Sequence, residues 1–168
     1  ATIVVLEDER PQLLLLRAAL QEAGEIAAFS DPVTALDFLR NQPVDAALID
    51  IGLGPDAKMD GLEFIRAVRE FDGDLCIIIR TGNETAEVAD QAIELGAFRR
   101  SIKMKQSVEE LRSLTKAAIE ETRTRRRNSR DAATSAEMRG ELGEALGTMD
   151  EELSMGDNYR VFLQAMRN

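Results

Sequence analysis

Residues 44–61, VDAALIDIGLGPDAKMDG, decide the fold and indicate the chemistry of this chain. A largely apolar run, residues 44–49, ends at Asp50, and a glycine-rich loop follows. A short apolar run bounded by turn residues predicts a buried strand. A carboxylate at the end of such a strand is costly unless nearby groups compensate its charge. The compensating groups are therefore expected elsewhere in the chain, and they indicate what the site does.

The composition is that of a chain with one folded domain and an appendage. The chain has 168 residues, of which 44% are hydrophobic and 31% are charged, enough for one substantial core. No apolar run approaches membrane-spanning length and no signal-peptide pattern is present, so we expect a cytoplasmic protein that does not bind membranes. The net charge of −10 argues against direct nucleic-acid binding by the whole chain.

The counts of histidine and cysteine exclude several kinds of site. There is no histidine, which excludes Ser-His-Asp and Cys-His nucleophilic chemistry and most zinc sites. If histidine chemistry is involved, a partner must supply the histidine. The single cysteine, Cys76, lies in an apolar stretch and is predicted to be a buried structural thiol.

Strand and helix patterns alternate five times over residues 1–120. Strands are predicted over residues 2–6, 25–29, 44–49, 75–79 and 98–102. Helical patterns begin at Pro11, span residues 33–40, 61–71 and 84–95, and begin again at a Ser107–Glu110 capping box. This alternation predicts an α/β fold, a doubly wound parallel sheet with helices on both faces. In such folds polar ligands bind outside the carboxyl ends of the strands.

Four of the five strands end in a chemically useful side chain. Glu7 and Asp8 follow the first strand, Asp50 ends the third, Thr81 follows the fourth and Lys103 follows the fifth. Three carboxylates at one edge repel one another, and each would prefer to be protonated. A hard divalent cation removes that conflict, and an all-oxygen ligand set suits Mg²⁺.

These residue types together predict an aspartyl-phosphate acceptor. A metal-bound Asp50 keeps a free oxygen that can attack phosphorus, and Mg²⁺ neutralises charge on the phosphoryl group during transfer. The Lys103 ammonium is a compact charge suited to one phosphoryl oxygen. The Thr81 hydroxyl can donate a hydrogen bond to another.

Short motifs over about residues 1–120 resemble the receiver domain of two-component response regulators. These motifs are VVLEDE, LID followed by MDGLEFI, IIIRTG and SIKM, in that order. The resemblance implies a flavodoxin-like five-stranded sheet of order 2-1-3-4-5. It also implies phosphoryl transfer from a histidine kinase or a histidine phosphotransfer protein. Such a domain is not a classical enzyme, and only self-catalysed phosphorylation and dephosphorylation are expected.

The resemblance also assigns site residues. It implies Asp50 as phosphoacceptor, Thr81 and Lys103 as phosphoryl ligands, and Mg²⁺ held by Asp8 directly, Glu7 through water, Asp50, and the Gly52 backbone carbonyl.

The chain departs from the family pattern at three points. Met104 stands where receivers usually have proline after the lysine, and a non-proline cis bond there would cost about 2.5–4 kcal/mol. Arg100 stands where many receivers have a switching Tyr or Phe. The loop from Asp50 to Gly61 is longer than usual. The phosphorylation residues are thus present, whereas those of the usual output route are replaced.

Residues 121–168 are predicted to be a helical extension or linker. The arginines of residues 123–130, RTRRRNSR, are interpreted as a solvated helix face. Three glycines interrupt the helical pattern that follows, and residues 155–157 predict a helix break. Apolar residues in this stretch would be exposed on a lone helix, so we expect them to pair with a second copy of the chain. The alternative is a partly disordered tail that orders only with a partner. They are Leu142, Leu146, Met149, Leu153, Phe162, Leu163 and Met166.

Three alternatives stay open at this point. The chain could be a receiver module cut from a larger protein that carries a C-terminal output domain. It could be a Mg²⁺-dependent phosphatase of small substrates, although Gly52 stands where such enzymes commonly have a second acid. It could be a pseudo-receiver that only binds partners, which the presence of Asp50 and Lys103 argues against.

Overall fold

The structure is a computed structural model that describes residues 1–54, 57–82, 86–103 and 105–165. Five strands and five helices alternate along these ranges. They are β1 (Thr2–Leu6), α1 (Arg10–Leu20), β2 (Glu25–Phe29), α2 (Pro32–Asn41), β3 (Ala46–Asp50), α3 (Gly61–Arg69), β4 (Ile77–Thr81), α4 (Ala86–Glu94), β5 (Arg99–Ile102) and α5 (Val108–Ala165).

The five strands form one parallel sheet in the order β2-β1-β3-β4-β5. The predicted fold class and strand order are therefore confirmed. Leu6 pairs with Ile49, Asp50 with Arg80, and Thr81 with Ile102. Because these pairs are consecutive across the sheet, the residues that end or follow β1, β3, β4 and β5 share one edge, the carboxyl edge.

Alternate residues of β1, β2, β3 and β4 pack into two cores, one on each face of the sheet. One core joins the strands to α2, α3 and α4, with the fully buried Phe64 at its centre. The other joins the strands to α1 and the first turns of α5, through Leu16, Leu20 and Leu111. Cys76 is a free thiol buried in this second core, as predicted.

Side-chain caps define where three helices begin. The Asp31 carboxylate accepts the Thr34 backbone N–H at 2.9 Å at the start of α2. Asp60 and Glu63 form a reciprocal capping box at the start of α3. The capping box predicted at the start of α5 is also present. Glu110 N donates to Ser107 Oγ at 3.1 Å, and Ser107 N donates to Glu110 Oε2 at 2.8 Å.

The fourth strand lies two residues later in the chain than its apolar pattern predicts. Leu75 N donates to the Asp72 carboxylate at 2.9 Å, and Cys76 N donates to Thr122 Oγ1 at 2.9 Å. These two N–H groups are bonded to side chains, and β4 begins after them and continues through Arg80 and Thr81. All five residues of β4 are buried, including the arginine.

The last helix, α5, is continuous over 58 residues. The predicted interruptions at the glycines and at residues 155–157 are therefore wrong. Each glycine costs roughly 1 kcal/mol of helix, but the surrounding Glu, Leu, Ala and Met residues are strong helix formers that offset this cost. No helix in the described ranges is long and apolar enough to cross a membrane.

The backbone divides into two compact units, residues 1–126 and residues 127–168. The predicted domain boundary between residues 120 and 121 lies inside α5 and inside the first unit, and it stays a prediction.

Arginines of α5 attach its first turns to the rest of the first unit. Arg112 Nε donates to the Ala19 carbonyl at 2.6 Å. Arg126 Nη2 lies 2.6 Å from Asp72 Oδ2. Arg123 Nε lies 3.3 Å from a carboxylate oxygen of Asp45, the residue before β3. The interpretation of residues 123–130 as a solvated face is therefore wrong for Arg126, whose side chain is 29% exposed. Arg123 is exposed, at 47%, although it too pairs with an acid from another part of the unit.

Candidate functional site

Three acidic side chains meet at the carboxyl edge of the sheet. Glu7 continues β1 and donates its backbone N–H to the Phe29 carbonyl at 3.0 Å. Asp50 is the last residue of β3. Ligand oxygens of Glu7, Asp8 and Asp50 lie within 4.8 Å of one another. Glu7 is fully buried and Asp50 is 1% exposed, so two of the three carboxylates are removed from bulk water.

Lys103 brings a positive charge to the same point. Its backbone N–H donates to the Thr81 carbonyl at 2.8 Å, which places it directly after β5 beside the end of β4. Its ammonium forms a short hydrogen bond to Asp50 Oδ2 and lies 3.4 Å from Glu7 Oε2. Lys103 thus contacts two of the three acids predicted for the site.

Arg80 supplies a second cation, itself buried, that sequence reasoning missed. It lies opposite Asp50 in the β3–β4 register, and its Nη1 is 3.4 Å from Glu7 Oε2. The residue is only 8% exposed, and among the described residues its Nε has no hydrogen-bond partner. The signal in the sequence was an arginine directly after the apolar run Leu75–Ile79. Because the apolar pattern ends at Ile79, it predicts that the strand ends there and gives Arg80 no place in the site.

The backbone of the loop after β3 contacts two of the acids. Gly52 N donates to Asp50 Oδ1 at 3.1 Å, and Gly54 N donates to Asp8 Oδ2 at 2.9 Å. A Cβ on Gly54 would lie 2.8 Å from Asp8 Oδ2, so a side chain there would displace the carboxylate. At the end of the loop, a Cβ on Gly61 would lie 2.6 Å from the Ile51 Cα. Glycine at both positions lets the loop backbone approach the site closely.

Thr81 ends β4 and is 5% exposed, beside the Lys103 backbone. The predicted roles of the Thr81 hydroxyl and of the Gly52 carbonyl stay predictions. Arg100 is exposed on β5 and lines a cavity of about 310 Å³. Met104, and with it the predicted peptide geometry after Lys103, lies outside the described residues.

Burial dominates the electrostatics of this cluster. The pKa of Glu7 is raised to about 7, chiefly by removal from water. The nearby charge of Asp50 also raises it, whereas the charges of Lys103 and Arg80 lower it. Burial opposes the charge of Lys103, but the hydrogen bond and charge of Asp50, with the charge of Glu7, leave its pKa raised. Burial lowers the pKa of Arg80, yet a guanidinium stays charged at neutral pH because its ordinary pKa is so high.

The cluster can hold a hard cation among its oxygens. Glu7, Asp8 and Asp50 offer only carboxylate oxygens, and at least one oxygen of each lies in the group within 4.8 Å. An all-oxygen set that leaves room for water suits Mg²⁺ rather than a soft metal. The residues present therefore fit the magnesium ion that the sequence predicts. Two cations, Lys103 and Arg80, lie in the same cluster as these carboxylates.

Curated relatives of this chain are response regulators. A response regulator of Rickettsia bellii described as NtrX-like is 31% identical over 129 residues, which are 75% of this chain and 26% of the relative. The transcriptional regulatory protein ZraR of Klebsiella oxytoca is 28% identical over 102 residues, 60% of this chain and 22% of the relative. The chain thus spans about a quarter of the length of these relatives.

Solved structures show the same architecture. A response regulator receiver domain protein from Clostridium thermocellum matches with a TM-score of 0.67 and 24% identity, over 74% of this chain and 98% of that one. NtrX from Brucella abortus matches with a TM-score of 0.70 and 25% identity, over 77% of this chain and 29% of that one. The family profile described as the response regulator receiver domain matches residues 3–116. This chain therefore belongs to the response regulator receiver domain family.

Proposed function

We propose that this chain accepts a phosphoryl group on Asp50 from a phosphohistidine of a partner protein, in a Mg²⁺-dependent reaction of two-component signalling. The observation that carries the proposal is the meeting of Glu7, Asp8 and Asp50 at the carboxyl edge with Lys103 in contact with Asp50. An acid at this position is costly to bury, and the cluster surrounds it with the charges that phosphoryl transfer needs.

The proposed step forms one bond and breaks one. A carboxylate oxygen of Asp50 attacks phosphorus, an aspartyl phosphate forms, and the P–N bond to the partner's imidazole breaks. The electron pair of that bond stays on the imidazole nitrogen. Bound Mg²⁺ would supply charge neutralisation at the transferring group, and Glu7, Asp8, Asp50 and the Gly52 carbonyl would hold it.

The chain's own donors position and stabilise the transferred group. Gly52 N–H donates to one carboxylate oxygen of Asp50 and Lys103 to the other, which fixes the orientation of the nucleophile. As the aspartyl phosphate forms, the Lys103 ammonium can pass from Asp50 to a phosphoryl oxygen a short distance away. The buried Thr81 hydroxyl at the end of β4 would donate to another phosphoryl oxygen.

The partner must supply the histidine. This chain has none, so a histidine kinase or a histidine phosphotransfer protein is the proposed donor. The receiver would catalyse its own phosphorylation and dephosphorylation and no other reaction.

A second proposal concerns the whole protein. The Rickettsia bellii relative is matched over only 26% of its length and the Klebsiella oxytoca relative over 22%. This observation favours a receiver module that works as part of a longer protein with a C-terminal output domain. In either case, α5 beyond residue 126 is proposed to pair with the same helix of a second copy.

Pairing through α5 is tested by light scattering on the full chain and on a chain that ends at Arg126. This end point keeps the contacts of Thr122 and Arg126 with the first unit. A dimer that becomes a monomer on truncation is expected. Monomers in both samples would contradict pairing.

Phosphorylation is tested by intact-mass measurement after incubation with Mg²⁺ and acetyl phosphate. We expect the wild-type chain to gain one acid-labile phosphoryl group, and to gain none when a chelator replaces Mg²⁺. Asp50→Asn should gain none, whereas Asp90→Asn, at an exposed position of α4, should be labelled like wild type. Labelling of Asp50→Asn equal to wild type would refute the assignment.

A further inference from the structure

Arg80 is a buried cation for which the proposed phosphoryl transfer has no step. It lies inside β4, between Ile79 and Thr81, and is 8% exposed. Alternate residues of a strand share a face, so Arg80 lies on the same face as Ile78, which is buried in the core beneath α1 and α5. An aliphatic side chain would continue that apolar row without the cost of burying a charge.

Hydrogen bonds to the described residues satisfy the arginine only in part. Of its three nitrogens, Nη1 reaches Glu7 Oε2 at 3.4 Å, which is long for a hydrogen bond. Nε is buried, and no acceptor for it exists among the described residues. A guanidinium is usually buried where its planar donors are satisfied in pairs. The contact of Arg80 that the described residues show is therefore its ion pair with Glu7.

The charge of Arg80 acts on Glu7. Glu7 is fully buried, and its Oε2 has two cationic neighbours at the same distance of 3.4 Å, Lys103 and Arg80. Its other oxygen, Oε1, accepts the Glu9 backbone N–H at 3.4 Å. Lys103 is shared with Asp50, but Arg80 has an ion pair with Glu7 alone among the described residues. The negative charge of the Glu7 carboxylate thus has cationic neighbours within the protein before any metal binds.

We propose that Arg80 is a built-in counter-ion of Glu7 that weakens Mg²⁺ binding at the acidic cluster. The inference rests on the proposed function because it concerns the same site, and it adds a residue that sets how much metal the site needs. With Arg80, three carboxylates share two fixed cations. Without it, they share only Lys103, and a dication entering the cluster meets one more net negative charge. A buried guanidinium cannot lose its charge near neutral pH, so the effect is permanent.

The test is calorimetric titration of the metal-free full chain with Mg²⁺. Arg80→Met and Arg80→Gln remove the charge, and each should bind Mg²⁺ at least roughly tenfold more tightly. A unit charge several ångströms from a dication has about that effect in water, and a larger one in a buried cluster. Arg80→Lys keeps the charge and should bind with the wild-type affinity. Arg99→Met is the matched control, since it removes an exposed arginine of the neighbouring strand and changes the net charge equally. Its affinity should equal that of wild type.

Wild-type or weaker affinity in both neutral variants would overturn the proposal. If Arg99→Met bound Mg²⁺ more tightly than wild type by the same factor as the neutral Arg80 variants, the proposal would also be overturned. The effect would then come from net charge alone. Circular dichroism checks that each variant is folded. If both neutral variants unfold, the proposal is also overturned, because Arg80 would then be needed for the fold rather than for the metal.

Labelling by acetyl phosphate at saturating Mg²⁺ separates this inference from the proposed function. Tighter Mg²⁺ binding in the neutral variants with no labelling of wild type would retain the inference and refute the phosphoacceptor. Normal labelling of wild type, together with equal Mg²⁺ affinities of wild type and the neutral variants, would retain the phosphoacceptor and refute the inference.

Discussion

Two groups of charged side chains lie at opposite ends of the sheet, and they differ most in burial. At the carboxyl edge, the side chains of Glu7 and Asp50 are 0% and 1% exposed. At the amino ends of the strands, the side chains of Asp45 and Asp72 are each 24% exposed, and they pair with arginines of α5. The first group has more acids than cations, whereas each acid of the second group has an arginine partner.

The difference in burial distinguishes the candidate site at the carboxyl edge from the ion pairs that attach α5 at the amino ends. Charges taken out of water with incomplete compensation destabilise a fold, so their presence indicates that the position is used for chemistry. Half-exposed ion pairs cost little and contribute little, and they orient one element against another. Substitutions at the two ends should therefore affect different properties, activity at the carboxyl edge and stability at the amino ends.

The largest expected effect is that of Lys103→Met on phosphorylation. Loss of the ammonium removes the group proposed to follow the developing phosphoryl charge. The initial rate of labelling by acetyl phosphate should fall roughly a hundredfold, as for other single charge-stabilising donors in active sites.

Lys116→Met is the control for this change, since Lys116 is exposed on α5 away from the carboxyl edge. The rates are compared by intact mass at saturating Mg²⁺. A Lys103→Met rate equal to that of Lys116→Met would remove Lys103 from the proposed mechanism.

The largest effect on stability is expected at a neutral hydrogen bond, not at the arginine pairs. Thr122 is fully buried, and its hydroxyl accepts the Cys76 N–H at 2.9 Å. Thr122→Val leaves that buried N–H without its acceptor, at a cost of about 1–3 kcal/mol in the free energy of unfolding. Urea unfolding monitored by circular dichroism measures the change.

Thr124→Val is the matched control for the Thr122 substitution. The Thr124 side chain is exposed, and among the described residues its hydroxyl bonds only to the Glu120 carbonyl within the same helix. Equal losses in the two variants would mean that the contact between α5 and the start of β4 does not stabilise the unit.

The smallest effect is expected from Arg126→Ala at the amino ends of the strands. Its partner oxygen on Asp72 lies 2.6 Å away, but both side chains are partly exposed, at 29% and 24%. The free energy of unfolding should fall by about 0.2–1 kcal/mol at low salt, and by less in 1 M salt because the charges are screened. A loss above that of Thr122→Val would invalidate the distinction between the two ends.

Sequence patterns predicted the architecture because runs of apolar residues between turn signals indicate the strands. Glu7, Asp50 and Lys103 could be found because they stand directly after such runs, and parallel strands bring those positions to one edge. The pattern could not show that Arg80 belongs to the fourth strand. Strand length there depends on pairing with β3, and on the Asp72 and Thr122 side chains that bond the two preceding N–H groups.

The last helix shows a second limit of local reasoning. Glycine propensities at positions 140, 143 and 147 predict interruptions, yet the helix continues through them. Propensity is a sum over many residues, and three unfavourable ones do not outweigh a long favourable context. The ion pairs of Arg123 and Arg126 could not be predicted from local sequence either. Their partners, Asp45 and Asp72, are 78 and 54 residues away along the chain.

The central claim is that Asp50 receives the phosphoryl group, and chemical mapping of the modified residue tests it most directly. The full chain is labelled with acetyl phosphate and Mg²⁺, reduced with borohydride, which converts an aspartyl phosphate to homoserine, and digested for mass spectrometry. Homoserine at position 50 alone, and at no other aspartate, is the predicted result. Homoserine at another aspartate with Asp50 unmodified would contradict the account.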